Sequence, residues 1–221
     1  EIYVDLLKDE GRIAILARDL EPKEIEYFNQ IPVYPVRTHI ATDAIAFITA
    51  KTAKDSIIQY AEIEKILKGE KSDKKLYFDN SNSSTVHTLL KHFNIDKIPA
   101  ENVFAAKSNS EVIQNSTKDI NAIGIVGVNW LTQPGKLQPQ VDQIKVLGIV
   151  KDSKIVKPNQ TELMDKSYPF TRDIYLINIQ GKTGLGMGFA SYLAGDDGQR
   201  IILKAGLLPT RMPTREINIV K

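Results

Sequence analysis

The sequence predicts an α/β protein with mostly parallel sheets, and three observations carry that reading. Short runs of β-branched and aromatic residues alternate with stretches of helical periodicity along the chain. Ile40 to Ala50 is an almost continuous apolar run broken by Asp43, which suits a central strand buried on both faces. Leu76 to Leu90 passes from a short strand through a polar loop into the first turns of a helix. At 221 residues there is chain enough for one or two domains with buried cores.

Taken in order, Glu1 to Leu7 reads as the middle of an amphipathic helix, so residues 1–9 are expected to be a helix end closed by Gly11. That opening also predicts native sequence upstream of Glu1. Ile13 to Leu16 reads as a short buried strand, and Pro22 opens a helix running through Phe28. Asp19 would then stand at the carboxyl end of a strand, where open α/β sheets place ligand crevices. Ile31 to Thr38 reads as a connection, Ile57 to Leu67 as a helix closed by Gly69, and Tyr77-Phe78 as a strand. Val103 to Ala106 is expected to be a strand and Ser108 to Gln114 a serine-capped helix. Ala122 to Val128 is a glycine-interrupted strand, but its glycines lack the GxGxxG spacing and open no helix, so a dinucleotide site is rejected. Leu131 to Pro139 reads as loop, Ile144 to Val150 as strand and Val156 to Asp165 as an irregular return. Ile174 to Ile179 is β-rich, helices follow over 188–193 and to Ala205 with Gly206 as cap, and a polar tail follows Pro209.

Asp79 to Ser84 holds turn and cap formers and no apolar residue, while Val86, Leu89, Leu90 and Phe93 fall on one helical face. Two readings stand here. The backbone N–H groups and positive dipole end of the helix start suit an anion, or Ser83 or Ser84 simply caps the helix.

Several landmarks line up in order: Ala17-Arg18-Asp19-Leu20, Ile40 to Phe47, Asn82-Ser83-Ser84-Thr85, Asn121 to Gly127, Tyr168-Pro169-Phe170-Thr171-Arg172, and Gly198 to Gly206. Together they resemble the phosphate-binding component of bacterial ABC transporters, a type II periplasmic binding protein. The resemblance implies two α/β lobes, residues 1–44 with 172–221 and residues 45–171, joined by two hinge strands, with the anion clamped between them and closure selected by the ligand. It implies that Asp19 accepts the proton of a protonated phosphate, so that proton-free sulfate is rejected. Ser83, Ser84 and Thr85 match a serine–glycine–threonine loop, with Ser84 in place of glycine. Arg18 resembles an arginine common beside that aspartate, pairing either with ligand or with a neighbouring carboxylate. Asp79 stands where the family has an arginine that forks onto phosphate, and the family's first strand and its anion loop would lie upstream of Glu1. The implied setting is periplasmic, or extracytoplasmic on a membrane, with a lipid anchor upstream of Glu1, membrane subunits of the importer as partners, and a monomer.

The remaining residues narrow the function classes. A net charge of +2 and no basic stripe interleaved with aromatics exclude a nucleic-acid mandate. The absence of cysteine removes disulfides, thiol nucleophiles and thiolate metal sites. His39, His87 and His92 read as structural or surface residues, since positions 87 and 92 fall on different sides of a helix, and no metal or cofactor is expected. Trp130 is expected in the core or at a cleft rim. Asp43 is either a hinge-facing group or, preferably, a paired core carboxylate, with Arg172 bracing the hinge. Asp79 is expected to bond its own loop's N–H groups, and Asp19 alternatively caps the helix that follows it. No HExxH, GxSxG or P-loop is present, so no catalytic residue is assigned. The alternatives are a phosphatase-like hydrolase or aspartate-based transferase using Asp19 and Asp79 as acid and base, or a sensor or adhesion module.

Overall fold

The computed structural model describes residues 2–8, 11–181 and 183–214. Residues 1 and 9 of the expected first helix, and the tail beyond 214, lie outside them. The chain divides into two compact units, Glu1–Asp43 with Arg172–Lys221, and Ala44–Thr171. It passes between them twice, within the strands β2 (Val36–Ala50) and β10 (Thr171–Asn178).

In the first unit, strands run in the order β1 (Ile13–Leu16), β10, β2, with β11 (Leu208–Pro209) also paired to β2. Alternation along β10 sends neighbouring side chains to opposite faces of the sheet. Ile177 packs with Leu6 of α1 (Ile2–Leu7), Leu20 and Phe28 of α2 (Pro22–Asn29). Leu176 packs with Ile40, with Ala190 of α9 (Leu185–Ala194) and with Ile202 of α10 (Asp196–Lys204). Gln199 is fully buried and uses its whole side-chain amide: Nε2 donates to the Ile40 and Leu193 carbonyls, and Oε1 accepts from Thr210 and the Arg211 N–H. Asp43 is a paired core carboxylate. It accepts from Arg172 Nε at 2.9 Å and Nη2 at 2.6 Å, so both ends of the chain's two passages are tied together within this unit.

In the second unit, β2 continues beside β6 (Ala122–Gly127), followed by β4 (Lys75–Phe78) and β5 (Val103–Ala105), and β7 (Ile144–Val146) also pairs with β2. Ala44 to Ile48 are wholly buried, as a strand covered on both faces requires. β4, β5 and β6 are parallel because α4 (Ser84–His92) and α5 (Asn109–Lys118) return the chain between them. Gly124 is required where α5 crosses β6, since a Cβ there would lie 2.3 Å from Ser116 Oγ. A second sheet holds β3 (Ile57–Gln59), β8 (Gly148–Lys151) and β9 (Lys154–Val156). Phe170 stacks on Tyr60 at 5.6 Å and touches the rings of His92 and Phe93, while the buried Tyr168 hydroxyl donates to the Ile45 carbonyl. Burial, and then the Lys151 charge, hold His92 below the ordinary histidine pKa, with Glu64 opposing.

Several expectations are corrected. The sheets are mixed: β3–β8, β4–β5 and β4–β6 are parallel, whereas β1–β10, β2–β6, β2–β7, β2–β11 and β8–β9 are antiparallel. The crossover helices α4 and α5 make β4, β5 and β6 parallel, whereas β1 runs against β10, and β6, β7 and β11 run against β2. The helix expected from Ile57 starts three residues later as α3 (Tyr60–Leu67), because Ile58 pairs with Ile149 in β8 and sheet pairing overrides the local periodicity. The run Ile144–Val150 is two strands parted at Leu147, which serve different sheets. Val156 to Asp165 contains α8 (Gln160–Met164), capped by Asn159. The expected loop 131–139 holds short turns of helix, α6 (Asn129–Thr132), a 3-10 turn Gly135–Leu137 and the start of α7 (Gln138–Val141). β2 begins at Val36 rather than Ile40. Trp130, on α6, is 37% exposed and is not a core residue.

Candidate functional site

The predicted site residues fall into two groups, one in each unit. In the first unit, β1 ends at Leu16 and Asp19 lies three residues further on. Asp19 does not cap α2. Its Oδ1 accepts the Leu20 N–H at 2.7 Å and its Oδ2 accepts Arg37 Nη1 at 3.0 Å, with the carboxylate 38% exposed. The start of α2 is served instead by the Glu24 carboxylate, which accepts the Glu21 N–H at 2.8 Å. Arg18 forks onto the same Glu24, Nη1 at 2.6 Å and Nη2 at 2.7 Å, and also donates to the Asp19 carbonyl. Burial pushes the Glu24 pKa up, but the Arg18 hydrogen bond, the Glu21 N–H and the Arg18 charge outweigh it and hold the carboxyl below its ordinary value. Arg18 therefore fixes the Asp19 turn to α2 through a strong bidentate pair.

Beside Asp19 the structure assembles a polar array that the sequence reading missed. Arg37 and His39 stand two residues apart on β2, and Asp173 and Tyr175 two apart on β10. His39 stacks on Tyr175 at 5.1 Å and lies 3.3 Å from Asp173, and Asp173 also accepts from Thr42 at 2.7 Å. The Tyr175 phenol is pushed up by burial and by the Asp19 and Asp173 charges, with Arg37 opposing. The available signal was the period-two spacing of polar residues on two strands. Their strand-to-strand pairing lies more than a hundred residues apart in sequence, which no local pattern reveals.

In the second unit, the Asp79–Ser84 loop folds on itself as the cap reading expects. Asn80 Oδ1 accepts the Asn82 N–H at 3.0 Å, the Asn80 carbonyl accepts the Ser83 N–H at 3.3 Å, and Ser83 Oγ accepts the Val86 N–H at 3.3 Å. Ser83 is thus the N-cap of α4. Ser83 and Thr85 are buried, and Ser84 is exposed on the first turn. Capping uses an acceptor lone pair of Ser83 and leaves its O–H proton as a donor. Asp79 corrects its expectation: Oδ2 accepts from the Asn109 side chain at 3.2 Å rather than from its own loop, and Oδ1 is buried and meets no hydrogen-bond partner among the described residues. A helix start with hydroxyls at its first positions can bind an oxyanion by hydrogen bonding and dipole alignment without any covalent step. Among the described residues, no cluster of three or more His, Asp or Glu side chains is placed to hold a metal ion. No helix among them is long and apolar enough to cross a membrane.

Comparison with known proteins places the chain in a family. The chain is 26% identical over 215 residues to the phosphate-binding protein PstS of Borreliella burgdorferi, covering 89% of this chain and 72% of that protein. Its fold matches a Clostridium perfringens protein assigned as a phosphate ABC transporter substrate-binding protein and crystallised with phosphate bound. That match has a TM-score of 0.77 at 17% identity, over 95% of this chain and 83% of the other. An ABC-type phosphate transport receptor from Vibrio cholerae shares the fold with a TM-score of 0.69 at 14% identity, over 93% and 83% of the two chains. The fold is that of the two-lobed type II periplasmic binding proteins. A model of the PBP superfamily domain matches residues 3–197, and the chain belongs to the PBP (periplasmic-binding-protein) superfamily.

Proposed function

We propose that this protein captures phosphate, or an oxyanion of the same shape, outside the cytoplasm and delivers it to the membrane subunits of an ABC importer, with no catalytic step. The observation that carries the reading is Asp19, a half-exposed carboxylate at the end of β1 whose two oxygens already meet a main-chain N–H and an arginine. Such a carboxylate accepts the proton of hydrogenphosphate and repels sulfate, which has none to give. The proposal also reads the Ser83–Thr85 helix start of the second unit as a set of anion donors, with Ser84 the exposed member. Arg18 takes the bracing role that its fork onto Glu24 supports. The relatives named for phosphate binding and phosphate transport support the ligand and the importer.

Isothermal calorimetry with phosphate, sulfate and molybdate tests it. One equivalent of phosphate is expected to bind with heat, sulfate weakly or not at all, and Asp19→Leu or Ser84→Asp to abolish the phosphate signal. No heat with any of the three, together with slow hydrolysis of a phosphate ester, would replace this reading with the hydrolase alternative.

A further inference from the structure

Two arginines stand beside Asp19 and are engaged differently. Arg18 holds Glu24 with both terminal nitrogens. The Arg37 side chain gives Nη1 to Asp19 Oδ2 and, among the described residues, makes no other hydrogen bond or ion pair. A guanidinium carries five N–H donors in a rigid planar fork, and 41% of this side chain is open to solvent. Arg37 is nonetheless not a loose surface residue. It is held near the start of β2, its head is tethered to Asp19, and its charge acts on the Tyr175 phenol next to it.

We propose that Arg37 is a ligand-contacting residue of the phosphate site, directing its remaining donors at an anion oxygen while it stays bonded to Asp19. The inference rests on the phosphate reading above. A dianion approaching Asp19 alone meets charge repulsion against a single hydrogen bond from its one proton. The Asp19–Arg37 pair is close to neutral and offers both an acceptor and donors: Asp19 takes the ligand's proton in a hydrogen bond, and Arg37 donates to an unprotonated oxygen.

The test is calorimetry with inorganic phosphate on the wild type, R37Q, R37K, R18Q, D19N and the D19N/R37Q double variant, with thermal melts checking each fold. R37Q is expected to weaken binding on the order of 10- to 100-fold, the range for a lost charge-assisted hydrogen bond, with R37K intermediate and R18Q weaker in effect than R37Q. In the D19N background R37Q is expected to cost a further factor of about ten, because the contact is its own and not exercised through Asp19. Should R37Q not fold, R37K, which keeps the charge and loses the fork, carries the comparison. Wild-type affinity retained by R37Q within about twofold overturns the contact, as does no added loss in D19N/R37Q. A wild type that binds no phosphate overturns the functional reading itself, an outcome distinct from any result with Arg37.

Discussion

The Asp19 end of the first unit and the Ser83–Thr85 loop of the second are both proposed anion contacts, yet they are built in opposite ways. In the loop, Asn82, Ser83, Val86 and Thr88 all bond partners two to four residues away. In the first unit, alongside the local bonds of the Asp19 turn, others reach across the sequence: 18 positions for Arg37–Asp19, 131 for Thr42–Asp173, 129 for Arg172–Asp43 and 159 for Gln199–Ile40. A local cap can form and fray with its own helix, whereas a distributed array exists only when the whole unit is folded. Losing one bond in the first region should therefore weaken the entire unit, and losing one in the second should soften a helix end.

That contrast can be broken from its strongest side. Asp43→Ala leaves the Arg172 guanidinium buried without its carboxylate and is expected to cost about 3–5 kcal/mol in denaturant unfolding. A loss below about 1 kcal/mol would show that the passage strands do not depend on the pair. Gln199→Leu keeps the volume but orphans the Ile40 and Leu193 carbonyls, with an expected loss of about 2–3 kcal/mol by the same measurement. Ser83→Ala removes only the α4 cap, about 1 kcal/mol, and amide exchange should quicken in the first turn of α4 while the rest of the second unit keeps its protection.

Acid should act more gently and on the first unit. Glu24 is held below its ordinary pKa when folded, so its contribution to stability is complete above the unfolded value and is lost as pH falls through the folded one. Melting temperatures taken from neutral to acid pH should fall in the wild type, and Glu24→Gln should flatten that part of the profile. An unchanged slope in the variant would place the acid sensitivity elsewhere.

The same contrast explains what the sequence could reveal. The cap at Ser83, the cap at Ser108 and the doubly buried strand from Ala44 to Ile48 were legible because helix starts and strand burial are written in neighbouring residues. Asp43 was legible as a paired core carboxylate, since a charge inside an apolar strand demands a partner, and Arg172 as a brace, but nothing local named one as the other's partner. Arg37 was hidden in a stretch read as a polar connection, because its meaning comes from Asp19, not from its neighbours. Strand direction was hidden for a similar reason: alternating strands and helices suggest parallel crossovers, but β2 and β10 take their partners from distant segments. The division of Ile144–Val150 between two sheets likewise has no local signature beyond Gly148, whose added Cβ would lie 2.6 Å from an Ile155 methyl.

Equilibrium dialysis of labelled phosphate against the purified protein, with and without a large excess of sulfate, tests the central claim most directly. The account predicts that one phosphate is retained per chain and that sulfate leaves it in place. Phosphate that passes freely, or is displaced by sulfate as readily as by unlabelled phosphate, would contradict it.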